Sequence, residues 1–270
     1  MKNRTNFFKR IGSLLIVMTL LAGLTSGIAV SAEETSTIAG SEIEGFLKYL
    51  NIAELDAEQY QNGVSRGQLA KIAAKVMNAQ TFETEELFFD DVPVGSEYYN
   101  EVTALVKAGV VAGDGGRDYR PDDVATINEA CKIFSVILGY DDLAHFTTYL
   151  QTAMKAGILE GVGGDATVTY EEALLMAYNT LHAEMLDIKG VSIGTRPGTN
   201  YNVVEDYMAI ERYHGLRKSK GLVEGASGAT LKAADDTIAA GQVKIDGKVF
   251  NWDDESLLGK AVVYYCISYS

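Results

Sequence analysis

The stretch Val64-Ser65-Arg66-Gly67-Gln68-Leu69-Ala70-Lys71-Ile72 has chemical equivalents at two later places in the chain. The second is Ala125-Thr126-Ile127-Asn128-Glu129-Ala130-Cys131, and the third is Val168-Thr169-Tyr170-Glu171-Glu172-Ala173-Leu174. In each, Ser or Thr precedes Gln or Glu by three residues, the spacing of a capping box, in which two side chains satisfy unpaired N–H groups at a helix start. The pairs are Ser65 with Gln68, Thr126 with Glu129, and Thr169 with Glu172. The sequence therefore predicts three helix starts and one supersecondary unit repeated three times.

Another helix is predicted before each capping box. The first of these has an apolar face made by Ile43, Phe46, Leu47 and Leu50. It ends at Asn51, a residue that tolerates the left-handed conformation at a helix C-terminus, and Gly109 and Gly157 stand at the equivalent places of the other copies. Each unit is thus predicted to be a helix, a Gly or Asn stop, a loop, and a capped second helix.

The first 32 residues have the pattern of a secretory signal. Basic residues precede an apolar run from 11 to 30, and Val30-Ser31-Ala32 closes the run with small residues. We interpret residues 1–32 as a cleaved signal and residues 33–40, rich in Glu, Thr and Ser, as a flexible leader. A retained membrane anchor is the alternative, and the glycines within the apolar run disfavour it.

Negative charge dominates the chain once this segment is removed. Four basic residues and no acidic residue leave with the signal, so 19 basic and 37 acidic residues remain, a formal charge of −18. Such a charge disfavours binding to nucleic acid or to an anionic membrane surface. An anionic partner would have to be held by locally placed cations.

The sequence has no pattern typical of a metal, cofactor or catalytic site. The histidines lack metal-ligand spacing, the middle loop lacks the acidic spacing of a calcium-binding EF-hand, and no phosphate-loop lysine follows the glycine-rich stretch at 161–165. Cys131 is predicted inside a helix and Cys266 inside a strand, so we expect two separate thiols rather than a disulfide. The sequence therefore predicts a protein without metal, without cofactor and without enzymatic activity.

The middle copy carries the most specific pattern. Phe89-Asp90-Asp91-Val92 enters it, Tyr98-Tyr99 opens its first helix, Ala108-Gly109-Val110 ends that helix, and Gly113-Asp114-Gly115-Gly116-Arg117-Asp118-Tyr119-Arg120-Pro121 precedes the capping box. This order resembles the S-layer homology module of bacterial surface proteins. The resemblance implies three tandem modules, at about 41–80, 87–140 and 143–187, arranged as an all-α pseudo-threefold bundle. In that family the grooves of the bundle bind secondary cell-wall polysaccharide without a covalent link.

The resemblance also implies which residues contact the glycan. In the family, an Arg or Lys after the capping Ser or Thr contacts acidic groups of the polymer, and here only Arg66 keeps that cation. A guanidinium suits a carboxylate such as a pyruvyl acetal. The matching positions are Ile127, which offers no charge, and Tyr170, which could stack on a sugar. Asp91, Tyr98 and Arg120 complete the predicted glycan-binding set. An exposed first-turn side chain without a ligand is the alternative role of Arg66, and capping alone explains the Ser and Thr residues of the boxes.

After residue 187 the pattern changes. Residues 188–200 are interpreted as a linker, and the stretch from Tyr201 to Tyr213 as one short helix. Strands are predicted near 215–224 and 241–250, the latter folded at Asp246-Gly247 as a tight hairpin, and in a last run at 261–267. Residues 201–270 are therefore predicted to form a short helix with a small antiparallel sheet, and the predicted fold class is α+β multidomain.

The export signal, the lack of catalytic motifs and the resemblance to the S-layer homology module together imply a secreted, noncatalytic surface protein of a Gram-positive bacterium. It is expected to bind anionic, pyruvylated wall polysaccharide, to have no membrane contact after signal cleavage, and to be capable of self-assembly. One alternative is a degenerate module that serves only as a protein interaction unit, since Ile127 and Tyr170 lack the family's charge. Another is the anchor fragment of a longer surface enzyme.

Overall fold

The computed structural model describes residues 38–80, 86–112, 116–141, 148–188, 201–231, 238–252 and 254–267. The predicted signal at 1–32, the leader up to residue 37, and residues 189–200 of the predicted linker lie outside this part of the chain. Residues 113–115 of the middle loop and His145 lie outside it too. The described residues form two compact units, a helical unit that ends at His214 and a β unit that begins at Gly215.

Seven α-helices are described, all in the helical unit. They are α1 (Glu42–Tyr49), α2 (Arg66–Val76), α3 (Tyr99–Lys107), α4 (Ile127–Ile137), α5 (Tyr149–Lys155), α6 (Tyr170–Leu181) and α7 (Ala209–His214), and a 3₁₀ turn spans Ala57–Gln59. Helices α2, α4 and α6 begin directly after the predicted capping residues. In all three boxes the Ser or Thr side chain accepts from the backbone of the third helical residue, whose own side chain accepts from the capping residue's N–H. The three predicted capping boxes are confirmed.

The stops of the preceding helices also follow the sequence. Asn51, Gly109 and Gly157 have φ values of 56°, 73° and 77°, the left-handed region that glycine and asparagine tolerate best. Each turns the chain out of α1, α3 or α5 toward a buried residue, namely Ile52, Val110 or Ile158. The same local signal therefore produces the same local fold three times.

The three segments that precede the capping boxes meet in a ring of backbone hydrogen bonds. The Val64 N–H donates to the Val168 carbonyl at 2.9 Å, the Ala125 N–H to the Val64 carbonyl at 2.9 Å, and the Val168 N–H to the Ala125 carbonyl at 3.1 Å. All three residues are buried. A second layer repeats the pattern, because the N–H groups of Arg66, Ile127 and Tyr170 donate to the carbonyls of Asp123, Ala166 and Asn62. The starts of α2, α4 and α6 are thus joined pairwise by the same contact.

Two strands and a short helix complete the helical unit. Strands β1 (Glu184–Ile188) and β2 (Tyr201–Met208) pair antiparallel, and α7 follows β2 directly. The prediction of a helix from Tyr201 to Tyr213 is therefore wrong for residues 201–208 and right only for the end of that stretch. The stretch is rich in Tyr and Val, which favour strands, and the pairing with β1 decides between the two structures. Strand β1 itself, which begins before the predicted linker, had no signal in the sequence analysis.

Helix α7 contacts the C-terminal ends of all three capped helices. The Tyr213 hydroxyl donates to the Ile137 carbonyl of α4 at 2.7 Å, and His214 Nε2 lies 3.0 Å from the Val76 carbonyl of α2. The Ala209 N–H donates at 3.1 Å to the carbonyl of Ala183, just beyond α6. The bonds to Val76 and Ile137 satisfy carbonyls that a helix end leaves unpaired, and α7 belongs with the helical unit.

The β unit is built around one long strand. The first half of strand β3 (Leu216–Ala226) pairs with β7 (Ala261–Ile267). Its second half pairs with β4 (Ala229–Thr230) and with β5 (Gln242–Ile245). Strand β6 (Lys248–Asn251) pairs with β5. Asp246 and Gly247, both at positive φ, form the predicted hairpin turn between β5 and β6. The core consists of Val223, Ala226, Val243, Ile245, Leu257, Val262 and Tyr264. Helices and this sheet confirm the predicted α+β class.

Cys131 is buried in α4 and Cys266 is half-buried in β7, and both thiols are free. In the part of the chain that the structure describes, no helix has the length and apolar character needed to cross a membrane.

Candidate functional site

Two clefts in the helical unit contain four of the five predicted glycan-binding residues, with Arg66 and Arg120 in one and Tyr98 and Tyr170 in the other, while Asp91 lines neither. The first, the Arg66 cleft, has a volume of about 200 Å³ and lies between the starts of α2 and α4 and the middle loop. Its lining residues are Arg66, Leu69, Val110, Val111, Ala112, Tyr119, Arg120, Glu129, Lys132 and Ile133. Since a water molecule takes about 30 Å³ of liquid volume, the cleft has the volume of about seven water molecules.

Arg66 is held in place by three contacts on the wall of this cleft. Its Nε donates to the Tyr119 carbonyl at 2.8 Å, and its guanidinium carbon lies 4.9 Å from the centre of the Tyr119 ring. Its Nη1 pairs with the Glu129 carboxylate. The side chain keeps only 16% of its surface exposed. The guanidinium is therefore oriented before any ligand arrives, and an acidic side chain of another repeat already occupies part of it.

Glu129 uses its two carboxylate oxygens for different purposes. Oε2 accepts from the Thr126 N–H at 2.9 Å and so closes the capping box of α4. Oε1 pairs with Arg66 across the cleft. The sequence predicts only the first role, because a capping box is a local pattern and the ion pair joins residues of two different repeats.

Asp91 folds the loop that forms the other wall. Its Oδ1 accepts from the Tyr119 N–H at 2.7 Å and its Oδ2 from the Arg120 N–H at 2.5 Å. The Arg120 side chain is exposed, and its Nη1 lies 3.7 Å from the Asp123 carboxylate. Both Asp91 oxygens are thus engaged by backbone, and Asp91 contributes to the cleft by positioning Tyr119 and Arg120. This is the turn chemistry expected of acidic residues in such loops.

The second cleft, the Tyr98 cleft, contains the two predicted tyrosines. It has a volume of about 50 Å³ and includes Tyr98, Tyr170, Gln68 and Lys71 in its lining. Tyr170 is 4% exposed, its hydroxyl accepts from the Glu54 N–H at 3.2 Å, and burial raises its pKa. Glu54 in turn binds the Lys71 ammonium at 2.8 Å. The Tyr170 ring is therefore packed within the fold and does not present an open face to a sugar.

Among the described residues, no group of three His, Cys, Asp or Glu side chains is arranged to hold a metal ion. The chemistry that the Arg66 cleft offers is recognition of an anion, because three basic side chains, Arg66, Arg120 and Lys132, line it beside a single acidic one. Lysine and arginine bind carboxylates through charge-assisted hydrogen bonds.

Comparison with known proteins agrees with this architecture. Residues 88–126 match the family model of the S-layer homology domain. The chain carries an S-layer homology domain. It is also 26% identical over 200 residues to the S-layer protein EA1 of Bacillus anthracis, an alignment that covers 71% of this chain and 21% of that protein. The chain therefore spans about a fifth of the length of this relative.

The matched S-layer homology domain supplies only one side of the Arg66 cleft. It runs from the Phe89 entry through α3 to Thr126, so it contains Tyr119 and Arg120. Arg66 precedes the matched range, while Glu129 and Lys132 follow it. The cleft is thus assembled from residues inside and outside the matched domain.

Sequence reasoning missed two lining residues of this cleft. Tyr119, 2% exposed, supplies the ring beneath Arg66, and its place in the motif before Pro121 could have marked it. Lys132 lies 6.0 Å from the Tyr149 ring centre, and its spacing of three residues after Glu129 puts both on one face of α4. The first helical positions of the other repeats differ: Tyr170 packs with its ring 5.7 Å from that of Tyr60, and Ile127 carries no charge.

Proposed function

We propose that this chain anchors a secreted, noncatalytic protein to the bacterial cell wall, and that the Arg66 cleft binds an anionic secondary cell-wall polysaccharide. The placement of three basic side chains around one concave site supports this function most strongly. These local cations are needed because the chain as a whole is strongly acidic, and such a chain can hold an anionic polymer only through locally placed cations.

The ring of hydrogen bonds among Val64, Ala125 and Val168 supports the proposed three-repeat arrangement. In this arrangement, repeats at 41–80, 87–140 and 143–187 pack around a common axis, and no repeat buries its apolar face alone. Residues 1–32 would direct export in a Gram-positive bacterium, and the clefts between repeats would meet the wall.

A carboxylate, such as a pyruvyl acetal on a sugar, is the group that suits the Arg66 cleft best. The guanidinium already lies over the Tyr119 ring, so binding costs little side-chain ordering. The incoming carboxylate would replace Glu129 as the partner of Arg66, while Arg120 and Lys132 would contribute further charge. The equivalent positions Ile127 and Tyr170 provide no such cation, so one cleft would carry most of the affinity.

A protein interaction unit is a second candidate function, and the ion pair between Arg66 and Glu129 favours it. A cation that is satisfied inside the fold needs no ligand, and two of the three repeats lack a cation at this position. In that case the repeats would serve as an assembly surface and would bind no glycan.

Co-sedimentation with purified cell walls separates the two functions. The protein should pellet with intact walls and should remain in solution after the wall polysaccharide has been stripped. Arg66→Ala should weaken the apparent affinity for the walls about tenfold, as expected when a charged hydrogen-bond donor to a charged ligand is removed. Arg117→Ala is the matched control. Arg117 is an exposed cation on the loop that contains Tyr119 and Arg120, it pairs with Asp90, and it lies outside the cleft lining.

Equal pelleting with intact and stripped walls would reject glycan binding. If Arg66→Ala and Arg117→Ala reduced pelleting equally, the cleft would not be the site. A thermal melt of each variant shows whether lost binding reflects lost folding, because Arg66 also bonds to Tyr119 and Glu129.

A further inference from the structure

Basic residues of the β unit are concentrated on one strand. Residues 33–214 contain 30 acidic and 12 basic side chains, whereas residues 215–270 contain seven of each. Within the latter, Arg217, Lys218 and Lys220 stand within four consecutive positions at the start of β3. We call these three residues the basic ribbon. The charge of the chain is thus segregated, with its densest cationic stretch outside the repeats.

The basic ribbon is exposed and is not neutralised within the described residues. All three side chains are exposed, and none forms an ion pair with another described residue. Lys218 and Lys220 lie on one face of the β3–β7 strand pair, about 6.7 Å apart along β3. Their partners on β7 are Tyr265 and Val263, and the Lys218 ammonium lies 6.0 Å from the Tyr265 ring centre. Partial burial of the Lys218 side chain, and to a smaller extent the charge of Lys220, lowers the pKa of Lys218.

We propose that the basic ribbon is a second anion-binding site, which takes a linear phosphate polymer along β3 independently of the Arg66 cleft. Two lysines on one face of a strand present their charges in a row, and this suits a ligand whose negative charges repeat along its length. Lysine binds phosphate as a point charge, without the planar fork with which arginine binds a single carboxylate or phosphate group. Release of the counterions of the polymer would supply most of the affinity.

The binding of inorganic polyphosphate to the whole chain tests this site. Lys218→Gln/Lys220→Gln should weaken binding about thirtyfold, and the slope of log K against log salt should become less negative by about 1.4. Lys155→Gln/Lys248→Gln is the matched control, since it removes two exposed lysines elsewhere and should leave both quantities near those of the unmodified protein. The loss of about thirtyfold should also appear when the two lysine substitutions are made in an Arg66→Ala background, which separates this site from the proposed wall-anchoring cleft.

Four results would overturn the proposal. In the first, the ribbon double variant and the control double variant lose the same amount of polyphosphate affinity. In the second, the protein binds polygalacturonate of the same length as tightly as polyphosphate, which would mean that phosphate is not selected. In the third, the ribbon variant aggregates but binds normally, so the lysines only protect exposed strand edges. In the fourth, salt-sensitive self-association is lost in the ribbon variant without any polyphosphate binding, and the ribbon is then a contact between copies of this chain.

Discussion

Glu129 has both a structural role, in the capping box of α4, and a place in the candidate site, as the partner of Arg66. One carboxylate oxygen caps α4 and the other pairs with Arg66, 63 positions earlier in the sequence. An anionic ligand entering the Arg66 cleft therefore competes with a carboxylate that the protein itself supplies. The affinity of the cleft depends on how strongly that internal partner holds the guanidinium.

Removing the charge of Glu129 should strengthen anion binding. Gln68 occupies the same position of the first capping box, and its side-chain oxygen accepts from the Ser65 N–H at 2.9 Å. Glu129→Gln should therefore keep the cap while releasing Arg66, raising the affinity for the wall polysaccharide about threefold to tenfold. The free energy of unfolding should change by less than about 1 kcal/mol, the usual range for a partly exposed ion pair.

Calorimetric titration and urea denaturation measure the two quantities. Glu172→Gln is the control, because Glu172 closes the third capping box in the same way and faces no arginine at the equivalent position. Weaker binding in Glu129→Gln than in Glu172→Gln would mean that Glu129 helps to hold the ligand rather than competing with it.

At the scale of elements, two helices contain a glycine for opposite reasons. A Cβ atom added at Gly67, near the start of α2, would come within 2.4 Å of the Tyr98 ring. A Cβ added at Gly45, inside α1, meets no atom within 4 Å. Gly67 thus allows α2 to approach Tyr98 closely, whereas Gly45 only adds freedom to the unfolded chain.

Alanine substitution at the two glycines should change stability in opposite directions. Gly67→Ala should lower the free energy of unfolding by about 1–3 kcal/mol, because the aromatic ring or the helix must move. Gly45→Ala should raise it by about 0.5–1 kcal/mol, the difference in helix propensity. Urea denaturation of both variants is the measurement. A stabilised Gly67→Ala variant would contradict the close contact between α2 and Tyr98.

Local signals in the sequence were sufficient for some elements and not for others. The starts of α2, α4 and α6 were predicted to the residue, because a capping box lies within four positions. Strand β2 was mistaken for a helix, since its identity depends on pairing with β1 across residues 189–200. The site follows the same rule: the motif around Arg66 predicts its role, whereas the contacts of Arg66 with Tyr119 and Glu129 join residues far apart in the sequence.

At the scale of the whole molecule, buried carboxylates tie distant parts of the helical unit together. Glu171, 6% exposed, accepts from the Ile38 N–H and from the Gln61 side chain at 2.6 Å. Glu44, also 6% exposed, accepts from the Tyr60 hydroxyl at 2.7 Å and from the Gly40 N–H at 2.5 Å. The chain before α1 and the loop before α2 are thus fastened to the repeats by acidic side chains.

The ionisation of Glu44 makes the stability of the helical unit depend on pH. A hydrogen bond from Lys48, together with those from Gly40 and Tyr60, lowers the pKa of Glu44 from 4.5 to about 2. A carboxyl group whose pKa is lower in the folded state stabilises that state above the unfolded pKa, and this contribution disappears as the pH falls to the folded pKa. The stabilising contribution of Glu44 is therefore lost as the pH falls from 4.5 to about 2.

Glu44→Gln should be less stable than the unmodified protein at pH 7, by at most about 3 kcal/mol. The difference should shrink as the pH is lowered from 4.5 to about 2, and comparing the two proteins at each pH cancels the titration of the other acidic residues. Tyr60→Phe removes one hydrogen bond to the carboxylate and should narrow the pH range over which Glu44 loses its stabilising contribution. Urea denaturation across this range is the measurement, and a difference in stability that did not change with pH would mean that Glu44 acts through packing rather than through its charge.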